Sequence, residues 1–106
     1  MSELKQLLLR DLLAIPGVSE KKWQGRDDDF SSLVYKNTDF AHFHNNNELD
    51  LRLTAKIIKA EAVPRPANSI YHPNRSNNSP WIELRFAHKD DLRTVIPLVK
   101  LAIAQI

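Results

Sequence analysis

Asp39-Phe40-Ala41-His42-Phe43-His44-Asn45-Asn46-Asn47-Glu48-Leu49-Asp50-Leu51-Arg52-Leu53 is the stretch on which the reading of the fold turns. Taken with period two it separates into two faces. Ala41, Phe43, Leu49, Leu51 and Leu53 form an apolar one; His42, His44, Glu48, Asp50 and Arg52 form a polar one. The asparagines between the arms tolerate left-handed backbone, as turns require. The stretch therefore reads as a β-hairpin that carries histidines and carboxylates on one side of a sheet.

The register follows from the two faces. Opposed residues must share a face, and a slip of one would set His42 against a leucine. A three-residue loop, Asn45 to Asn47, keeps polar opposite polar. It sets His44 against Glu48, His42 against Asp50, and Phe40 beside Arg52. Each histidine then has a carboxylate across the ladder, which favours the imidazolium form.

Working outward, Ser2 can cap a helix from Glu3 to Ala14, whose Leu4, Leu7, Leu8 and Leu12 make one apolar stripe. Ile15-Pro16-Gly17 ends it, because the residue before proline avoids helical geometry and glycine accepts a left-handed terminus. Strands are expected over Val18–Trp23 and Ser31–Lys36. Between them lies a polar loop whose Asp27-Asp28-Asp29 lacks the spaced ligands of a calcium loop. Lys36 to Asp39 is read as a turn.

After the hairpin, Thr54 to Ala62 reads as a short helix with Thr54 as cap and Ile57 and Ile58 buried. Pro64, Pro66, Pro73 and Pro80 then bracket a polar loop with Tyr71, His72 and Arg75. Trp81 to Phe86 alternates cleanly, Ile82, Leu84 and Phe86 one way and Trp81, Glu83 and Arg85 the other. A last helix starts near Lys89-Asp90-Asp91, where acids suit the positive end of the helix dipole. Its stripe is Leu92, Val95, Ile96, Val99, Ala102, Ile103 and Ile106, and Pro97 inside it should kink it or leave a turn poorly bonded. The order α-β-β-β-β-α-β-α gives an α+β fold: a mostly antiparallel sheet of four to five strands with helices packed on one face. No repeat or second domain is visible, so residues 1–106 read as one domain.

Composition narrows the function. The 106 residues carry a formal charge of only +2, with basic residues scattered among acids, which argues against nucleic acid as a partner. Cysteine is absent, so there is no disulfide framework and no thiolate chemistry, as expected of a cytoplasmic protein. Charges interrupt the N-terminal leucines, which excludes a signal peptide, and no run approaches the ~20 apolar residues that span a bilayer. The expected protein is soluble, away from membranes, and a monomer or weak homo-oligomer. With Gly17 and Gly25 as the only glycines there is no glycine-rich phosphate loop.

If the helices cover the apolar face, the other face gathers His42, His44, Glu48, Asp50, Arg52, Trp81, Glu83 and Arg85, with His72 and Arg75 added from the loop. A plain solvent-facing sheet would favour lysine and threonine, so the content itself is the signal. In one reading a histidine is general acid or base, oriented by Asp50 or Glu48, on a small organic molecule held by Trp81 and the arginines. His42, His44 and Asp50 are then the catalytic candidates. Arg52, Trp81, Glu83, Arg85, His72 and Arg75 are the ligand-binding ones. In a second, His42 and His44 bind a divalent metal with a carboxylate completing the set; His-x-His on a strand points both rings the same way, though two histidines alone are a weak signal. In a third, the face is a non-catalytic protein-binding surface anchored by Trp81 and Tyr71. No cofactor is called for.

Four segments, in order, resemble the luciferase-like domain family, small domains related to fungal luciferase. They are Pro16-Gly17-Val18, Phe40-Ala41-His42-Phe43-His44, Asn47-Glu48-Leu49-Asp50-Leu51-Arg52-Leu53 and Ser79-Pro80-Trp81-Ile82-Glu83-Leu84-Arg85-Phe86. The resemblance implies a single α+β domain and an oxygen-dependent oxidation without an organic cofactor. It carries no catalytic residue across to this chain.

Overall fold

In the computed structural model, which describes residues 3–22, 30–44, 47–64, 76 and 78–106, the chain forms a five-stranded sheet and three helices. The elements are α1 (Glu3–Leu13), β1 (Val18–Lys22), β2 (Ser31–Tyr35), β3 (Thr38–Phe43), β4 (Glu48–Arg52), α2 (Ala55–Ala60), β5 (Trp81–Arg85) and α3 (Lys89–Ala104). All four pairings are antiparallel and the strands lie in chain order, even where α2 intervenes before β5. The α+β architecture expected from the hairpin is the one observed.

Backbone chemistry sets the turns. Gly17 at φ 88° carries the chain from α1 into β1 in a conformation that costs a residue with a Cβ far more. Lys36 and Asn37, at φ 49° and 63°, make a two-residue turn with both central residues left-handed. That geometry matches the twist of the flanking strands. β3 therefore resumes at Thr38, earlier than the longer turn expected from sequence. Thr54 caps α2 by accepting from the Ile57 N–H at 3.3 Å. Asp91 Oδ2 caps α3 by accepting from Ala87 and His88 at 2.8 and 3.0 Å. These two backbone bonds hold the Asp91 carboxyl below the usual aspartate range.

The apolar face behaves as the pattern requires. Ala41, Phe43, Leu49, Leu51 and Leu53 are all buried to 0% exposure, with Ile82, Leu84 and Phe86 beside them. Leu8 and Leu12 of α1 and Val95, Val99 and Ala102 of α3 join the same core. Each large apolar side chain so buried contributes about 1.5–3 kcal/mol relative to exposure. A bulge corrects one detail. β2 meets β3 as Leu33–Ala41 and then Val34–Asp39, so Phe40 is an extra residue. It lies in the core at 1% exposure instead of joining the polar face.

Both outer helices are turned slightly from their expected stripes. α1 buries Lys5, Leu8, Leu9 and Leu12, and Leu4 and Leu7 only flank the core. Lys5 is accommodated because its ammonium sits 4.9 Å from the Phe43 ring centroid while its stem lies on apolar surface. α3 buries Leu98, leaves Ile96 and Ile103 partly buried, and ends before Ile106, which is 37% exposed. Similarly Ile58 is buried in α2 while Ile57 only packs against the core. No helix among the described residues is long and apolar enough to cross a membrane.

Candidate functional site

The hairpin register is the one that face-matching selects. Ala41, His42 and Phe43 stand opposite Leu51, Asp50 and Leu49. The His44 N–H reaches the Glu48 carbonyl at 3.4 Å, which extends the same register toward the loop. Asn47 does more than turn the chain: its carbonyl accepts from the Phe86 N–H at 2.9 Å and its amide donates to the Phe86 carbonyl at 3.2 Å. The hairpin is thereby pinned to β5.

Across the outer face this register lays out one straight row. Ser32 pairs with His42, His42 with Asp50, and Asp50 with Glu83. A second row sets Glu48 opposite Arg85, and a third sets Arg52 opposite Trp81. The first row is not washed by solvent. Ser32, Asp50 and Glu83 are only 0%, 3% and 4% exposed, although they lie on the face turned away from the apolar core. Polar groups held out of water at that level must find partners within the protein.

Those partners differ from the straight cross-strand pairs. His42 Nδ1 lies 3.1 Å from Ser32 Oγ, while its ring stacks with Phe30 at 5.7 Å and with Trp81 at 5.2 Å between centroids. His44, tilted against Phe30, brings Nε2 within 3.9 Å of Asp50 Oδ2, one rung along the diagonal. Arg85 spans the two glutamates: Nε is 3.5 Å from Glu48 Oε1 and a terminal nitrogen 3.5 Å from Glu83 Oε2. The second Glu48 oxygen is buried without a hydrogen-bond partner among the described residues. Burial, and then the neighbouring Glu83 carboxyl, pushes the Glu48 carboxyl above the usual glutamate range, against the pull of Arg85 and His44.

Of the candidates named from sequence, His42, His44, Asp50, Trp81, Glu83 and Arg85 come together here. Arg52 stands at the rim, exposed, opposite Trp81. His72 and Arg75, with Tyr71, lie outside the described residues. Two members escaped the sequence reading. Ser32 occupies the position that alternation across the β2–β3 turn gives to the polar face. Phe30 is an aromatic just ahead of β2, and nothing in its local sequence ties it to histidines a strand away. Among the described residues no set of three histidines and carboxylates is placed to hold a metal ion.

A family model described as Luciferase domain matches residues 37–102, from the β2–β3 turn to the last turn of α3. The chain belongs to the luciferase domain family. The matched span contains every member of the polar rows except Phe30 and Ser32. Neither the curated proteins nor the solved structures yielded a match to this luciferase domain.

Chemically, the face offers an imidazole beside a carboxylate, with little water to compete. His44 and Asp50 have side chains 14% and 4% exposed. That low exposure strengthens their mutual interaction relative to a surface pair. An imidazole so placed can take a proton from a neighbouring molecule while the carboxylate stabilises the charge that results. His42, held by Ser32 and by two rings, is fixed in orientation.

Proposed function

We propose that this luciferase domain binds a small organic molecule on its outer sheet face, against Phe30, His42 and Trp81, with His44 and Asp50 as the reactive pair. The observation that carries the reading is the dry polar row, Ser32, Asp50 and Glu83 nearly inaccessible on the side of the sheet away from the core. An antiparallel sheet facing only solvent has no reason to bury a carboxylate row. Buried titratable groups with specific partners are a recurrent mark of functional sites. The stacked rings supply flat apolar area, and Arg52 and Arg85 lie where an anionic oxygen could be met.

Where the bound molecule has an acidic proton, His44 takes it and Asp50 stabilises the imidazolium. A cofactor-independent oxidation of the kind implied by the family would start from that deprotonated molecule. The test is a small-molecule screen by NMR that follows the amide signals of β3 and β4, repeated on Asp50→Asn for each compound that binds. Binding retained in the variant with any turnover lost supports the assignment. Turnover unchanged in Asp50→Asn removes the pair from the reaction.

A further inference from the structure

Arg52 and Trp81 face each other on the last rung of the β4–β5 ladder. The Phe86 N–H bonds the Asn47 carbonyl and the Leu53 N–H bonds the Pro80 carbonyl, which marks the odd-numbered residues of β4 as the hydrogen-bonded rungs. Rungs alternate in an antiparallel ladder, so Arg52 and Trp81 share a non-bonded one, where side chains approach most closely. Leu51 and Leu53 on either side of Arg52 are buried in the core, so Arg52 points to the outer face. It is exposed there, opposite the half-buried Trp81, whose ring stacks on His42 at 5.2 Å.

The two guanidiniums of this face are in different circumstances. Arg85 spans Glu48 and Glu83, each at 3.5 Å. Arg52 has no ion pair, and its side chain no hydrogen bond, among the described residues. The acids of its own strand lie away from it, Asp50 by about 7 Å and Glu48 by about 14 Å of backbone rise. Both are committed, Asp50 to His44 and Glu48 to Arg85. The face is thus polarised along β4. Carboxylates and an imidazole stand at one end, a guanidinium with no acid partner at the other. The His42–Trp81 stack spans the rungs of Asp50 and Arg52.

We propose that the molecule bound on the outer face is a planar aromatic carboxylate with an acidic hydroxyl at its far end, an inference that rests on the histidine face being the ligand site. The carboxylate meets Arg52, the ring lies against Trp81 and His42, and the hydroxyl points to His44 and Asp50. A guanidinium matches a carboxylate with two parallel N–H donors, which an ammonium does not. Charge fixes the orientation, because a ligand turned end for end would bring its carboxylate against Glu48 and Asp50.

The test uses 6-hydroxy-2-naphthoate and its primary amide, which keeps the ring and the hydroxyl and loses the charge. Binding is followed on the Trp81 indole and the His42 ring signals. The wild-type chain should bind the acid about tenfold or more tightly than the amide, the worth of a charge-assisted hydrogen bond. In Arg52→Gln that preference should vanish while affinity for the amide stays the same. Arg52→Lys, which keeps the charge and loses the fork, should retain only part of it. Equal affinities in the wild type, a preference that survives in Arg52→Gln, or no shift of these rings by either compound at millimolar concentration would each overturn the proposal. The reading of the face as a ligand site falls separately, if no compound of any class moves these rings.

Discussion

Ser32 Oγ and His42 Nδ1 lie 3.1 Å apart on the sheet face that the core does not occupy. Ser32 is fully buried, so its hydroxyl has exchanged water for this imidazole. Replacing it with alanine leaves a ring nitrogen that has lost that partner. Ser32→Ala should cost about 1–3 kcal/mol in stability, as expected for a buried polar group stripped of its bond. Chemical denaturation gives the cost, and the ¹⁵N shifts of the His42 ring report whether its tautomer changes. A cost near zero with unchanged ring shifts would mean that the pair does not form in solution.

Glu48 gives the domain a specific pH dependence. Its carboxyl holds a proton more tightly in the fold than in the unfolded chain, through burial and the adjacent Glu83. For such a group the stabilising contribution is complete below the unfolded pKa. It is lost as pH rises through the folded pKa. Glu48→Gln stays neutral throughout and does not lose it. As pH rises from the range where the unfolded glutamate ionises, about pH 4.3, through the raised folded pKa, wild-type stability should fall relative to Glu48→Gln. Parallel stability curves for the two proteins would show that Glu48 ionises normally.

Gly17 is held at φ 88°, and a methyl placed on it would sit 3.0 Å from Tyr35 Cε1. Gly17→Ala therefore meets both left-handed strain and a close ring. The expected loss is about 1–3 kcal/mol, read as a lower denaturation midpoint. Removing the ring, with Gly17→Ala compared in the Tyr35→Ala background, should recover only the steric share of the cost. Full recovery in the double variant would assign the whole cost to the ring and none to the backbone.

Much of this was legible in the chain. Alternation in the stretch 39–53 fixed the hairpin's faces, its register and the opposition of His42 and Asp50, because a one-residue slip would have exposed three leucines. It could not place side-chain ends. His44 reaches diagonally to Asp50, and Glu48 turns to Arg85 of a third strand, β5, whose residues pair with β4 from 29 to 37 positions away in the chain. The bulge at Phe40 was hidden for a related reason: it depends on how β2 meets β3, not on either strand alone. Lys5 read as a charge interrupting a leucine stripe. Its contact with the Phe43 ring, 4.9 Å from ammonium to centroid, is made across the core and leaves no trace in the local sequence.

The most direct test of ligand binding on the histidine face is a titration of a screened compound followed on the Cε1 protons of His42 and His44 and on the Trp81 indole. His42 of β3, His44 just after it and Trp81 of β5 all lie on the outer face, where the His42 and Trp81 rings stack. Saturable shifts of all three with a single affinity, weakened at least about tenfold (1.4 kcal/mol) in Trp81→Ala, are the expected result. Compounds that bind the domain while leaving all three rings unmoved would contradict it.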